Sequence, residues 1–191
     1  MFGCLPAGAV VGTSSVRRQA QLLHARPDLT VVAIRGNVGT RLDKVASGAF
    51  DATLLALAGL QRLGLEHRAA VLLDPDVMVP AAGQGIVAVT VRADATELRE
   101  LLAGIEDPEA RAVATAERAM LAALDGSCRT PIGGYASFQP DGTLSLVGLV
   151  ARADGSFLLK RRLSGTAAEA ERLGAELGAS LRADSPGDLF A

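Results

Sequence analysis

Between residues 9 and 63 the sequence alternates three times between a short apolar, β-branched run and a segment of helical character, and this alternation constrains the fold more than any other feature. Ala9-Val10-Val11-Gly12 reads as a buried strand that ends in Thr13-Ser14-Ser15. A helix should follow, with Ser14 or Ser15 as N-cap, Val16, Ala20 and Leu23 along one face, and Pro27 as its stop. Residues 29–34 form the second predicted strand, and the turn from Arg35 to Arg41 leads into a helix that ends near Ser47, with Gly48 as its C′ residue. Residues 51–57 are the third strand and residues 60–63 the third helix. A repeated strand–helix unit needs crossover connections, so the expected sheet is parallel, with right-handed crossovers.

The pattern then changes. Residues 64–80, punctuated by Pro75 and Pro80, are a transition. A strand over 86–91 and a helix over 96–103 are expected after Ala81-Ala82-Gly83-Gln84-Gly85. Asp107-Pro108-Glu109 is an N-cap followed by proline at the first helical position, so a helix should start there and run to Leu124, with Val113, Met120, Leu121 and Leu124 facing inward. Residues 126–134 read as a loop containing Cys128. Three strands over 135–138, 144–151 and 157–163, separated by Pro140-Asp141-Gly142 and Asp154-Gly155 turns, predict an antiparallel meander. A helix over 167–182 closes the pattern, with a frayed tail from Ala183. No internal repeat is present.

Several function classes are disfavoured. Apolar residues make up 49% of the chain, yet no apolar stretch reaches the ~20 residues of a membrane helix, and no secretory signal follows Met1. A net charge of −2 and 3% aromatic content argue against a nucleic-acid binder. There is no Gly-Lys-Ser/Thr phosphate loop, and Gly83-Gln84-Gly85 lacks the third glycine of a dinucleotide fingerprint. His24 and His67 are too isolated to hold a metal. Cys4 and Cys128 are too few for a disulfide framework, which points to the cytoplasm, and Cys4 reads as incidental.

The basic residues are more informative. Of nineteen, only Lys44 and Lys160 are lysines. Arg17 and Arg18 fall in the first turn of the first helix, where cations oppose the helix dipole. On the residues alone, they either hold an anion between them, or point to solvent or meet acids elsewhere in the fold. Arg35 ends the second strand, Arg41 opens the next helix, Gly36 and Gly39 between them allow close backbone approach, and Arg62 follows the third strand. Ligands of open α/β sheets bind at the carboxyl ends of strands, so these arginines would converge on a polyanion. Cys128, next to Arg129, is either a buried structural cysteine or a loop thiol with a cationic neighbour.

Six segments, in order, resemble the hydroxymethylbilane synthase (porphobilinogen deaminase) family: Gly12-Thr13-Ser14-Ser15-Val16-Arg17-Arg18-Gln19, Arg35-Gly36-Asn37-Val38-Gly39-Thr40-Arg41-Leu42, Ala58-Gly59-Leu60-Gln61-Arg62-Leu63, Pro80-Ala81-Ala82-Gly83-Gln84-Gly85, Thr115-Ala116-Glu117-Arg118-Ala119-Met120 and Gly126-Ser127-Cys128-Arg129-Thr130-Pro131-Ile132-Gly133. The resemblance implies an α/β fold: a periplasmic-binding-protein-like parallel-sheet domain at 8–80, a piece of a first domain at 81–103, and a small three-stranded α/β cofactor domain at 104–191. It implies a transferase that joins four porphobilinogens into hydroxymethylbilane on a dipyrromethane cofactor. Cys128 would carry that cofactor through a thioether. Arg17, Arg18, Ser15 and the backbone at Gly36 would bind its carboxylates, and Arg35, Arg41 and Arg62 those of the substrate.

The family's catalytic aspartate belongs to a preceding domain that these segments do not cover, so no residue of this chain is expected to be catalytic. The apolar 86–91 run would lack its strand partners. The expectation is therefore a chain that is marginally stable, self-associates or is complemented by an N-terminal domain, and that has little activity alone. Porphobilinogen and linear pyrrole oligomers are the implied partners, with no membrane, nucleic acid or metal. Two other readings are a non-catalytic polycarboxylate- or tetrapyrrole-binding fragment and a small-anion receptor domain.

Overall fold

A computed structural model describes residues 2–125 and 130–190 of the chain. The first strand, β1 (Val10–Gly12), pairs in parallel with β2 (Thr30–Val32) on one side and β3 (Ala52–Thr53) on the other, giving the order β2-β1-β3. The connections are helical: α1 (Val16–Ala25), α2 (Val38–Ala46) and, after β3, α3 (Leu57–Arg62). The α/β alternation of the sequence is therefore realised, although β2 and β3 are shorter than the predicted 29–34 and 51–57. The chain leaves the ladder early to form the turns that begin at Ile34 and Leu54.

The parallel sheet has a modest core, in which Ala9, Val11, Leu22, Leu29 and Met78 pack with Leu5, Val31, Ala52, Leu54 and Leu73. The inner face of α1 is not the one its apolar spacing suggests. Arg17, Ala20, Gln21 and Leu22 are buried, whereas Val16 and Leu23 are only partly covered. Two polar side chains face inward there because the 78–83 segment offers them backbone partners.

Residues 86–91 form no strand, contrary to the sequence expectation. A strand is stabilised by a hydrogen-bonded neighbour, and among the described residues none lies beside this run. Val87 is 73% exposed and Val89 61%. The next helix, α4 (Thr96–Ala103), forms as predicted but turns Leu98 and Leu101 outward, and Ile105 follows them into solvent.

The second sheet is antiparallel, in the order β4 (Ile132–Phe138), β5 (Leu144–Ala151), β6 (Leu158–Gly165). It is flanked by α5 (Pro108–Leu124) and α6 (Ala170–Ala183). The Asp107 carboxylate caps α5 by accepting from the Glu109 N–H at 2.9 Å and the Ala110 N–H at 3.2 Å, with Pro108 at the first position as the sequence indicates. A capping box between Thr166 and Glu169 sets the turn before α6.

All eight residues of β5 are buried. Antiparallel sheets commonly leave one face in water; here both faces are covered. Leu144, Leu146 and Val150 pack against α5 and α6, with Met120, Leu124, Leu173, Leu177 and Leu181. On the opposite face, Val147, Leu149 and Ala151 pack against Ala20 of α1 and Val79. Alternating side-chain direction along the strand sorts the two sets, and the second set docks the parallel-sheet unit onto the antiparallel one.

Polar contacts reinforce that docking. Gln19 Nε2 donates to the Ala153 carbonyl at 3.0 Å, and His24 Nδ1 lies 3.0 Å from the Gly155 carbonyl, which fixes the Nδ1–H tautomer. Gly155 has φ +76°, and a Cβ there would stand 2.5 Å from the His24 nitrogen, so the turn admits only glycine. Lys160 Nζ donates to the Asp76 carbonyl at 2.8 Å, and Arg162 pairs with the Asp76 carboxylate at 2.5 Å.

Two further expectations change. Leu121 of α5 is outward-facing and Val113 only partly covered, because α6 and the sheet occupy the side defined by Ala112, Ala116, Met120 and Leu124. The tail beyond Ala183 is not frayed. Residues 187–190 make a 3-10 turn that lays Leu189 and Phe190 on the core, with the Arg182 guanidinium 5.3 Å from the centre of the Phe190 ring.

Candidate functional site

The turns at the carboxyl ends of β1, β2 and β3 are drawn together by short polar side chains. Thr13 N–H extends the ladder to the Val32 carbonyl at 2.9 Å, and Ser14 Oγ donates to the Ile34 carbonyl at 2.6 Å. Thr53 Oγ1 donates to the Gly12 carbonyl at 2.8 Å. Ser15 is the N-cap of α1, its hydroxyl accepting from the Arg18 N–H at 3.4 Å. Hydroxyl side chains suit this place because they satisfy the open backbone groups of strand ends and helix starts together.

The second turn is built around Gly36, whose φ is +117° and where a Cβ would meet the Thr40 side chain at 2.8 Å. No other residue fits that position. Asn37 caps α2, accepting from the Thr40 N–H at 2.9 Å and the Thr40 hydroxyl at 3.0 Å. Side chains of the same helix fold back on the turn: Arg41 Nε donates to the Gly36 carbonyl at 2.9 Å and Lys44 Nζ to the Arg35 carbonyl at 3.2 Å.

Arg17, Arg18 and Arg41 meet at this edge of the sheet. Arg18 is half-buried, and its Nη1 reaches past the end of β3 to the Leu54 carbonyl at 2.8 Å. Burial and the neighbouring Arg41 both push its pKa below the usual guanidinium value. Arg17 is 7% exposed and directs Nη1 to the Val79 carbonyl. Burial, then the charge of Arg18, push its pKa down to about 10, so it stays charged at neutral pH. Arg35 and Arg62 stand at the same end of the sheet with exposed side chains.

None of these five arginines forms an ion pair among the described residues, a condition shared with Arg68, Arg99 and Arg118 elsewhere. By contrast Arg26, Arg92, Arg111, Arg152, Arg161, Arg162, Arg172 and Arg182 all meet carboxylates. Two half-buried guanidiniums side by side with no acid between them repel each other, and a bound carboxylate or phosphate would relieve that repulsion. The arrangement therefore fits a ligand rich in carboxylates. Among the described residues no group of three metal-ligating side chains occurs.

Cys128 lies outside the described residues. Its flanks are placed: α5 ends at Leu124, Asp125 takes a left-handed conformation with φ 50°, and β4 begins at Ile132. Val79, whose carbonyl Arg17 holds, lies against the start of β4, where a Cβ on Gly133 would stand 2.9 Å from Val79 Cγ1. A connected path thus runs from the arginine edge through Val79 to within five residues of Cys128 in sequence.

Sequence reasoning missed two polar residues, Gln21 and Glu117. Gln21 Nε2 donates to the Val79 carbonyl at 3.1 Å while its Oε1 accepts the Val79 N–H at 2.8 Å. Glu117, 3% exposed, accepts the Gly83 N–H at 2.5 Å and the Ala136 N–H at 2.7 Å. The available signal was a polar residue at an inward helical position, Glu117 lying between Ala116 and Met120 on the face of α5 that packs inward.

A family model for the dipyromethane cofactor binding domain of porphobilinogen deaminase matches residues 2–100, and one for the C-terminal domain of porphobilinogen deaminase matches residues 112–183. Similar curated proteins include a porphobilinogen deaminase of Nitratidesulfovibrio vulgaris, 47% identical over 194 residues that take in 100% of this chain and 61% of the relative. A porphobilinogen deaminase of Sorangium cellulosum is 53% identical over 182 residues, 93% of this chain and 60% of its own. One from Syntrophobacter fumaroxidans is 46% identical over 177 residues, 93% and 57% respectively. The chain thus spans about three-fifths of the length of these relatives.

Proposed function

The chain belongs to the porphobilinogen deaminase family, and from that membership we propose that it provides the pyrrole-holding part of hydroxymethylbilane synthesis. In that reaction four porphobilinogens join head to tail, each losing ammonia, and water releases the linear tetrapyrrole. Porphobilinogen carries an acetate and a propionate, so the growing chain is an array of carboxylates. The observation that carries the reading is the Arg18–Arg41 pair, two guanidiniums brought together at the carboxyl end of the sheet with no acid partner among the described residues.

The residue roles are those that the family resemblance implies, supported by the chemistry each side chain can perform. Cys128 holds the dipyrromethane through a thioether, and the bound cofactor supplies the free pyrrole position from which the chain grows. Ser15, Arg18, the backbone at Gly36 and the N–H groups that Arg17 does not give to Val79 bind the cofactor's carboxylates. Arg35, Arg41 and Arg62 take those of incoming porphobilinogen. Planar five-donor forks suit carboxylates better than ammonium groups do, which fits the scarcity of lysine. The acid–base work belongs to an aspartate on a preceding domain and to no residue of this chain.

The segments 8–80, 81–103 and 104–191 act as substrate-binding, first-domain and cofactor-attachment units respectively. The apolar surface of Val87, Val89, Leu98, Leu101 and Ile105 is where a complementing N-terminal domain, or a second copy, docks. Location is cytoplasmic, in keeping with just two cysteines; among the described residues no helix is long and apolar enough to cross a membrane. Intact-mass measurement of the chain purified from cells that make porphobilinogen tests the reading. A dipyrromethane-sized increase that disappears in Cys128→Ser is expected, and an unmodified wild-type mass contradicts cofactor attachment by this chain.

A further inference from the structure

The connection from the parallel-sheet unit to the rest of the chain, residues 78–83, is gripped from both sides by side chains matched to backbone groups. On one side stands α1. Gln21 offers Val79 one donor and one acceptor at once, and Arg17 adds a second donor to the same carbonyl. A glutamine is the residue that fits, since Val79 presents both an N–H and a C=O. Gln21 is 4% exposed and also donates to the Arg17 carbonyl at 3.3 Å, which ties the clasp to the helix that carries the arginines.

On the other side stand α5 and β4. The Glu117 carboxylate accepts from Gly83 with one oxygen and from Ala136 with the other, and Gly134 N–H donates to the Pro80 carbonyl at 2.9 Å. Here both partners are N–H groups, so an acceptor-only side chain is required and an amide would satisfy only one of them. Gly133 of β4 lets the segment lie close, since a Cβ there would collide with Val79; a Cβ on Gly134 would meet the Met120 side chain of the core at 2.6 Å, with Ala82 at ordinary contact distance.

We propose that residues 79–83 are a two-sided clasp, with Gln21 and Glu117 the positioning residues that fix the arginine-bearing start of α1 against the root of the strand that follows Cys128. Neither residue touches the arginine edge with its own side chain tip except through backbone; each acts through Val79 or Gly83. Its purpose, holding the carboxylate-binding edge in register with the cofactor cysteine, rests on the function proposed above. Its existence does not, because a chain that never takes up pyrrole would show the same behaviour in solution.

Residue-resolved amide hydrogen exchange on the full chain tests the clasp. In Glu117→Gln the Gly83 or the Ala136 amide, whichever faces the new NH2 group, should exchange at least ~10-fold faster, and in Gln21→Met the Val79 amide should do the same, while Leu173 and Leu177 in α6 change far less. The Gln21→Met variant leaves Glu117 and its two N–H partners in place and keeps the test available if Glu117→Gln does not fold. Rates at Gly83, Ala136 and Val79 that all stay at the wild-type value, or that rise only in step with those of α6, would overturn the proposal, the second result meaning that the two side chains are ordinary core polar groups. The local pattern in the variants, found together with a wild-type protein that carries no pyrrole adduct, would reject the cofactor reading alone.

Discussion

The antiparallel unit pairs its arginines with carboxylates, Arg118 excepted, whereas the parallel-sheet unit leaves most of its own without one among the described residues, Arg26 excepted. In the antiparallel unit Arg161, Arg162, Arg172 and Arg182 each face a carboxylate, and β5 is sealed between two layers. In the parallel-sheet unit Arg17, Arg18, Arg35, Arg41 and Arg62 have no acid partner among the described residues, and the strands are only two or three residues long. One region holds most of its guanidiniums against carboxylates of the protein itself, Arg162 reaching across to Asp76, and serves as scaffold. The other leaves five without an acid partner among the described residues, at some cost in self-repulsion.

The largest expected effect tests the packing half of this contrast. Met120 is fully buried between α5, α6 and the sheet, so Met120→Ala should cost about 2–5 kcal/mol of unfolding free energy by urea titration. Leu101→Ala removes a similar volume from a side chain that is 73% exposed, and should stay within about 0.5 kcal/mol. Equal losses would mean that α4 has a packing partner in solution, which would support self-association over an open surface.

Gly174→Ala comes next and probes how closely α5 and α6 approach. A Cβ at Gly174 would stand 2.2 Å from the Ala116 carbonyl oxygen, so the helices must separate, at about 1–3 kcal/mol. A neutral substitution would show that the α5–α6 contact is looser than described.

These packing effects also mark what the sequence could and could not say. Asp107-Pro108 announced the start of α5 because capping is local chemistry, and the three strand–helix alternations announced the parallel sheet because periodicity is local too. The predicted strand at 86–91 failed because strand formation depends on a neighbour, and apolar alternation says nothing of whether one is present. The docked tail failed likewise, since Leu189 and Phe190 are held by a core assembled from distant elements. At the candidate site, the convergence of Arg17, Arg18 and Arg41 was legible from strand ends. The grip of Gln21 and Glu117 was not, because their partners are backbone groups 58 and 34 or 19 residues away.

A smaller effect separates the two kinds of carboxylate by pH. Burial pushes the Glu117 pKa above its ordinary 4.5, against the N–H groups of Gly83 and Ala136, which lower it. Its contribution to stability is therefore full below the ordinary value and is lost as pH rises through the raised folded one. The Glu169 carboxyl, hydrogen-bonded by Thr166 and Arg172, is held down to about 2. Its contribution is present above the ordinary value and is lost as pH falls towards 2. Urea midpoints measured across this range should lose the upper slope in Glu117→Gln and part of the acid slope in Glu169→Gln; an unchanged profile in both would show that other groups govern it.

The central claim is that the unpaired arginines are kept for carboxylates, and calorimetric titration of the chain with porphobilinogen, paired with melting of the same samples, tests it most directly. Wild-type protein should bind with an affinity that weakens as salt is raised. Arg41→Gln should weaken binding by about 10-fold or more, the loss of a charged hydrogen-bond partner, while stability holds or rises by a few tenths of a kcal/mol as repulsion with Arg18 is relieved. Unchanged binding together with a lower melting temperature would contradict the account and make Arg41 part of the scaffold.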